Sequence, residues 1–170
     1  SKQGYDVVVY EKKEKVGGLL RYGIPNYKLP KWILDRRLDV MEESGVVFKT
    51  NIEVGKELSL EQLRMDHDAI LISIGSGQPR DLKIDGRETE GIHLALEFLG
   101  QENHINRQTK INASGKDVLV IGGGDTGSDC IGTATRQGAK SVTQIEIMPR
   151  PYQWEMSYNP EWPNYPRYNR

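Results

Sequence analysis

Apolar positions along the chain follow two rhythms. Val7-Val8-Val9-Tyr10 is a continuous, β-branched run ending on Glu11, which predicts a parallel strand buried on both faces. In KWILDRRLDVMEES, residues 31–44, Ile33, Leu34, Leu38 and Met41 recur on one helical face, and Gly45 stands where a helix would stop. Val46-Val47-Phe48 predicts a short strand. Asp68-Ala69-Ile70-Leu71-Ile72-Ser73-Ile74 predicts another buried strand, leaving through Gly75-Ser76-Gly77. The polar stretch QENHINRQTKINASG, residues 101–115, has no periodic apolar face and reads as a connector. A new strand, Val118-Leu119-Val120-Ile121, begins at Asp117 and runs into Gly122-Gly123-Gly124-Asp125-Thr126-Gly127. A helix is expected over about residues 126–137, closing at Gly138, with a strand over 141–147. The tail from Pro149 carries no clear pattern.

Gly122, Gly124 and Gly127 stand at GxGxxG spacing between a strand and a helix. The first glycine permits the tight turn and the second lets the backbone approach a pyrophosphate. The third allows close helix–strand packing, and the helix start offers unpaired N–H groups to an anion. The spacing alone is weak, and the strand before it and helix after it raise its weight. An acid about 20 residues beyond the turn would bind the adenosine ribose. Glu146 lies 24 residues after Gly122, with a solvent-facing strand residue as the alternative reading.

The strand ending on Glu11 parallels the one ending on Glu146. Together they read as the ribose-binding acids of two dinucleotide modules, the first of which starts here at its second strand. The chain is therefore expected to be an internal fragment of a longer protein, with a minimal independent domain as the alternative. Val16-Gly17-Gly18-Leu19-Leu20-Arg21-Tyr22-Gly23-Ile24-Pro25 suits a loop packed against a flat ring and its linker, or else a plain turn. The expected fold is α/β, with two incomplete Rossmann-like modules. These are a partial FAD-binding module over residues 1–100, a connector over 101–115, and the start of an NAD(P)H-binding module over 116–170.

Composition narrows the choice. The formal net charge is −1, with no basic excess for neutralising nucleic-acid phosphates. No apolar run approaches the roughly 18 residues of a membrane span, and no signal peptide opens the chain, so a cytoplasmic protein is expected. The single cysteine, Cys130, forms no internal disulfide, zinc site or cluster by itself. Redox chemistry here would therefore use organic cofactors. Cys130 is expected to serve as a small buried hydrophobe. His67, His93 and His104 lack metal-ligand spacing, and no metal site is expected. Lys28, Lys31, Arg36 and Arg37 read as a solvated face, or as a surface that helps dock a partner subunit.

Residues 17–37 (GGLLRYGIPNYKLPKWILDRR), 68–82, 90–99 and 115–147 resemble two-dinucleotide-binding flavoproteins. More closely, they resemble the glutamate synthase small (beta) subunit family. The resemblance implies that NAD(P)H is oxidised through FAD, with iron–sulfur clusters passing electrons to a large (alpha) subunit. There, 2-oxoglutarate and glutamine-derived ammonia become glutamate. By position it implies Glu11 on the FAD ribose, and Gly18, Leu19, Arg21, Tyr22 and Gly23 along the flavin and its linker. It further implies Val54 on the adenine, Gly75 near the pyrophosphate, and Gly122, Gly124, Asp125, Thr126 and Gly127 around the NAD(P)H phosphates.

Three features depart from the family pattern. The cysteine-rich cluster-binding segment is not in this span, so the span is expected to be inactive alone. Ile147-Met148 stand where NADPH-selective relatives often carry paired arginines, and Glu146 would repel a 2′-phosphate, which favours NADH. Arg150 could still serve a phosphate, so NADH and NADPH both stay open. The tail matches only loosely and is given no role. Because hydride transfer belongs to the cofactors, no catalytic acid, base or nucleophile is expected. Rival readings are a dihydropyrimidine dehydrogenase-like or ferredoxin–NADP reductase-like electron-input flavoprotein, and a non-catalytic nucleotide-binding or interaction module. A thioredoxin-reductase-like enzyme is disfavoured for want of a cysteine pair.

Overall fold

A computed structural model describes residues 1–103 and 111–147. Contacts divide the chain into two compact units, Ser1–Arg107 and Gln108–Arg170.

The first unit is built on two parallel strands, β1 (Val7–Tyr10) and β2 (Val46–Lys49), paired from Val7↔Val46 to Tyr10↔Lys49. Between them the chain forms a short helix, α1 (Gly18–Tyr22), and a longer one, α2 (Lys31–Glu43). Gly45, at φ 90°, ends α2 in the left-handed region that glycine enters without strain. Ile33, Leu34 and Leu38 are half-buried on α2 as their spacing predicts, whereas Met41 is exposed. Two further helices follow, α3 (Leu60–Asp66) and α4 (Ala95–Asn103). Ser59 caps α3, its Oγ accepting from the Gln62 amide at 3.0 Å, and Leu63 is buried beneath it. Among the described residues of this unit, Leu99 of α4 is the most deeply buried large side chain, at 1% exposure.

Two strand expectations change here. Residues 68–74 form no strand: Leu71, Ile72 and Ile74 are 92%, 70% and 88% exposed. A parallel strand requires a hydrogen-bonding neighbour, and the only pairs in this unit are the β1–β2 ladder and an isolated Val54↔Leu58 bridge, among the described residues. For the same reason β1 is half-buried rather than fully buried, because a two-stranded sheet leaves each strand an open edge. Of the predicted connector, residues 101–103 complete α4, and residues 104–110 lie outside the described residues.

The second unit is a βαβ arrangement. β3 (Asp117–Ile121) pairs in parallel with β4 (Ser141–Ile145), from Asp117↔Ser141 to Ile121↔Ile145, and α5 (Gly124–Arg136) connects them. The helix starts two residues earlier than its pattern suggests, so Gly124 and Asp125 belong to its first turn. Gly127, Cys130 and Ala134 lie on its buried face at helical spacing, with Asp129 and Thr133 beside them. β4 stops at Ile145, two residues short of the predicted end, opposite Ile121, where β3 gives way to the glycine turn; beyond it the Glu146 carboxylate accepts from the Ile147 amide at 2.7 Å.

Candidate functional site: two glycine-rich turns

The turn between β3 and α5 is shaped by what glycine permits. Gly122 and Gly124 have φ of 104° and 75°, in the region that disfavours side chains. The Gly122 amide donates to the Ile145 carbonyl at 2.9 Å, which ties the turn to the end of β4. A Cβ on Gly127 would lie 2.7 Å from the Gly122 carbonyl oxygen, so the third glycine is required by close helix–turn packing. Gly123 stands at the N-cap of α5, where no side chain caps the helix, and the first-turn N–H groups of a helix suit an anion. Asp125 and Thr126 are exposed in that first turn.

Two contacts escape the spacing rule. The Gln144 side-chain amide donates to the Gly122 carbonyl at 2.9 Å and so braces the turn from β4. The Glu146 carboxylate lies against Gly123, where any Cβ would collide with it. Gln144 gives no local signal, because its partner is 22 residues away. Gly123 could have been suspected from the unbroken run of three glycines. Met148 and Arg150 lie outside the described residues, as do His104 and the tail.

In the first unit Glu11 follows β1 and extends its ladder, donating to the Lys49 carbonyl at 2.9 Å and accepting from the Ile52 amide at 3.0 Å. Its carboxylate accepts from the Lys13 amide at 2.9 Å. The Gly17–Gly18 turn has φ of 130° and 50°, and residues 18–22 then form α1 rather than the expected open loop. A Cβ on Gly18 would meet nothing, and Leu19 beside it is 63% exposed. Gly23 is buried, and its amide closes α1 onto the Leu19 carbonyl at 2.8 Å.

The two polar side chains of α1 point to protein partners. Arg21 is buried, donating through Nε to the Val16 carbonyl and through a terminal nitrogen to Asp35, both at 2.6 Å. The Tyr22 hydroxyl lies 3.1 Å from the Lys15 amide and 3.2 Å from its carbonyl, and Lys13 sits over the ring. Lys31 also leaves the predicted solvated face. Its ammonium donates to the carbonyls of Leu20 and Leu29 at 3.0 and 3.4 Å, and to that of Ile24. Partial burial, and then the nearby Arg21 charge, holds its pKa below the usual lysine range. Val54 is exposed and bridges to Leu58, and Gly75 takes φ 65° within the exposed 68–84 stretch.

Cys130 is buried in α5, and burial, with a smaller contribution from Asp129, pushes its thiol up to about 11. No cluster of potential metal ligands occurs among the described residues, and no helix among them is long and apolar enough to cross a membrane.

The sequence profile of the pyridine nucleotide-disulphide oxidoreductase family matches residues 2–162. A Mycobacterium tuberculosis protein named glutamate synthase (NADPH) small chain is 47% identical, over 98% of this chain and 36% of its own length. The Schizosaccharomyces pombe protein named glutamate synthase (NADH) is 46% identical, over 98% of this chain and 8% of its own. Among solved structures, Mycobacterium tuberculosis FprA in complex with NADPH matches with a TM-score of 0.66 at 24% identity, covering 81% of this chain and 36% of that one. That match is a likeness of α/β fold. The chain spans about a third or less of the length of these relatives.

Proposed function

Because this chain belongs to the pyridine nucleotide-disulphide oxidoreductase family, we propose that it forms part of the electron-input subunit of a glutamate synthase. In this reading NAD(P)H is oxidised through FAD, and the electrons serve reductive glutamate synthesis from glutamine and 2-oxoglutarate on a large-subunit partner. Iron–sulfur clusters would be held by parts of the protein outside this span. The observation that carries the reading is the β3–turn–α5 geometry, set in a sequence 46–47% identical to glutamate synthases over nearly its whole length.

The residues present fit the two cofactors. Around the second turn, Gly122, Gly124 and Gly127 let the backbone approach a diphosphate, and the first turn of α5 supplies N–H groups to it. Asp125 and Thr126 line that helix start, and Glu146 is the acid for the nucleotide ribose. A carboxylate at that place repels a 2′-phosphate and favours NADH over NADPH. In the first unit, residues 1–100 are assigned to FAD, with Glu11 as the ribose acid. Gly18, the exposed Leu19, Tyr22 and Gly23 lie along the flavin and its linker, Val54 at the adenine and Gly75 at the diphosphate. When bound, the cofactors supply hydride transfer from nicotinamide to flavin. The protein binds, orients and shields them, and no acid or base from these residues is needed.

The test is reduction of bound flavin by NADH and by NADPH in the full-length protein. Bleaching by either nucleotide is expected. A full-length protein that holds no flavin and responds to neither would sink the reading.

A further inference from the structure

Building on the FAD assignment just made, we infer that Arg21 and Asp35 form a positioning pair that sets the Gly17–Gly18 turn for the cofactor, with Arg21 itself making no contact to the flavin. The family resemblance places Arg21 along the flavin, but its guanidinium is committed elsewhere. One nitrogen holds the carbonyl of Val16, immediately before the turn, and another holds Asp35 on α2, each at 2.6 Å.

The turn rests directly on this side chain. A Cβ on Gly17 would fall 3.1 Å from Arg21 Cβ and 3.3 Å from its Nε. Gly17 adopts φ 130°, a conformation few other residues enter, and the space its side chain would need is taken by the arginine stem. Around the pair, the Lys31 ammonium gathers the Leu20 and Ile24 carbonyls, and the Tyr22 hydroxyl fixes Lys15. Arg21 thus joins the loop after Glu11, α1 and α2 at a single point. A guanidinium suits this role because its planar fork serves two acceptors in fixed directions. The Arg21 side chain is 6% exposed and Asp35 is half-exposed, so losing Asp35 leaves a buried cation short of its counter-charge.

The experiment is a double-mutant cycle in the full-length protein, reading FAD affinity by reconstitution of the apoprotein and flavin seating by visible circular dichroism. Asp35→Asn and Arg21→Met are each expected to weaken FAD by about tenfold, the scale of one charged hydrogen bond. The double variant should be no weaker than either single one, because the two act as a unit. Flavin retained by D35N should show an altered dichroic band, and Arg21→Lys should bind more tightly than R21M. Additive losses, or wild-type affinity and dichroism in D35N, would overturn the pair. If R21M does not fold, D35N and R21K decide the question. A wild-type protein without flavin would instead fail the FAD assignment itself.

Discussion

The carboxylate of Glu146 occupies the space in which a side chain at Gly123 would begin. This couples the proposed ribose acid to the turn that is proposed to hold the phosphates. Gly123→Ala, at an ordinary φ of −100°, meets the movable end of a side chain rather than backbone. Stability should change by less than about 1 kcal/mol while KM for NADH rises severalfold, as the substitution pushes the acid aside. Thermal melts and steady-state kinetics on the full-length protein would check both.

Gly127→Ala should behave in the opposite manner. Its Cβ would press on the Gly122 carbonyl, which is backbone and cannot swing away. A loss of about 1–3 kcal/mol is expected, measured by denaturant unfolding. A melting curve unchanged from wild type would contradict the packing described for α5.

Replacing the acid alone isolates its charge. Glu146→Gln should shift the ratio of kcat/KM for NADPH over NADH upward by about tenfold, because a neutral amide no longer repels a 2′-phosphate. An unchanged ratio would remove Glu146 from the discrimination.

Cys130 provides a prediction about pH. Its folded pKa of about 11 lies above the ordinary 9.0, so the folded state keeps its proton while the unfolded chain loses it. Stability from this group is fully present below pH 9 and is lost as pH rises towards 11. Cys130→Ala should flatten that alkaline limb in pH-dependent unfolding. The native thiol should also resist alkylation at pH 8 until the protein is denatured.

Ser59→Ala removes the cap of α3 and should cost about 1 kcal/mol. Faster amide exchange confined to residues 60–66 would identify the local origin.

The sequence made part of this architecture legible for a physical reason. β1, α2, β2, β3, α5 and β4 each carry their own period or a glycine at a forced φ, and both are local. α3 was also readable: Ser59-Leu60-Glu61-Gln62 has the spacing of a capping box, and only its shortness hid it. Residues 68–74 have strong strand composition, but composition does not supply a partner ladder. In the glycine turn, φ requirements are written in residue type. The brace from Gln144 and the commitment of Arg21 to Asp35 depend on groups 22 and 14 residues apart, which no local pattern encodes.

Leu71, Ile72 and Ile74 stand almost entirely in water, within a seven-residue run containing only one charge. Such a segment combines high strand propensity with a main chain that pairs with no strand among the described residues, the conditions under which identical chains template one another. Handled as this span alone, the protein would be prone to self-association through residues 68–74, and its yield in solution would depend on keeping that run covered.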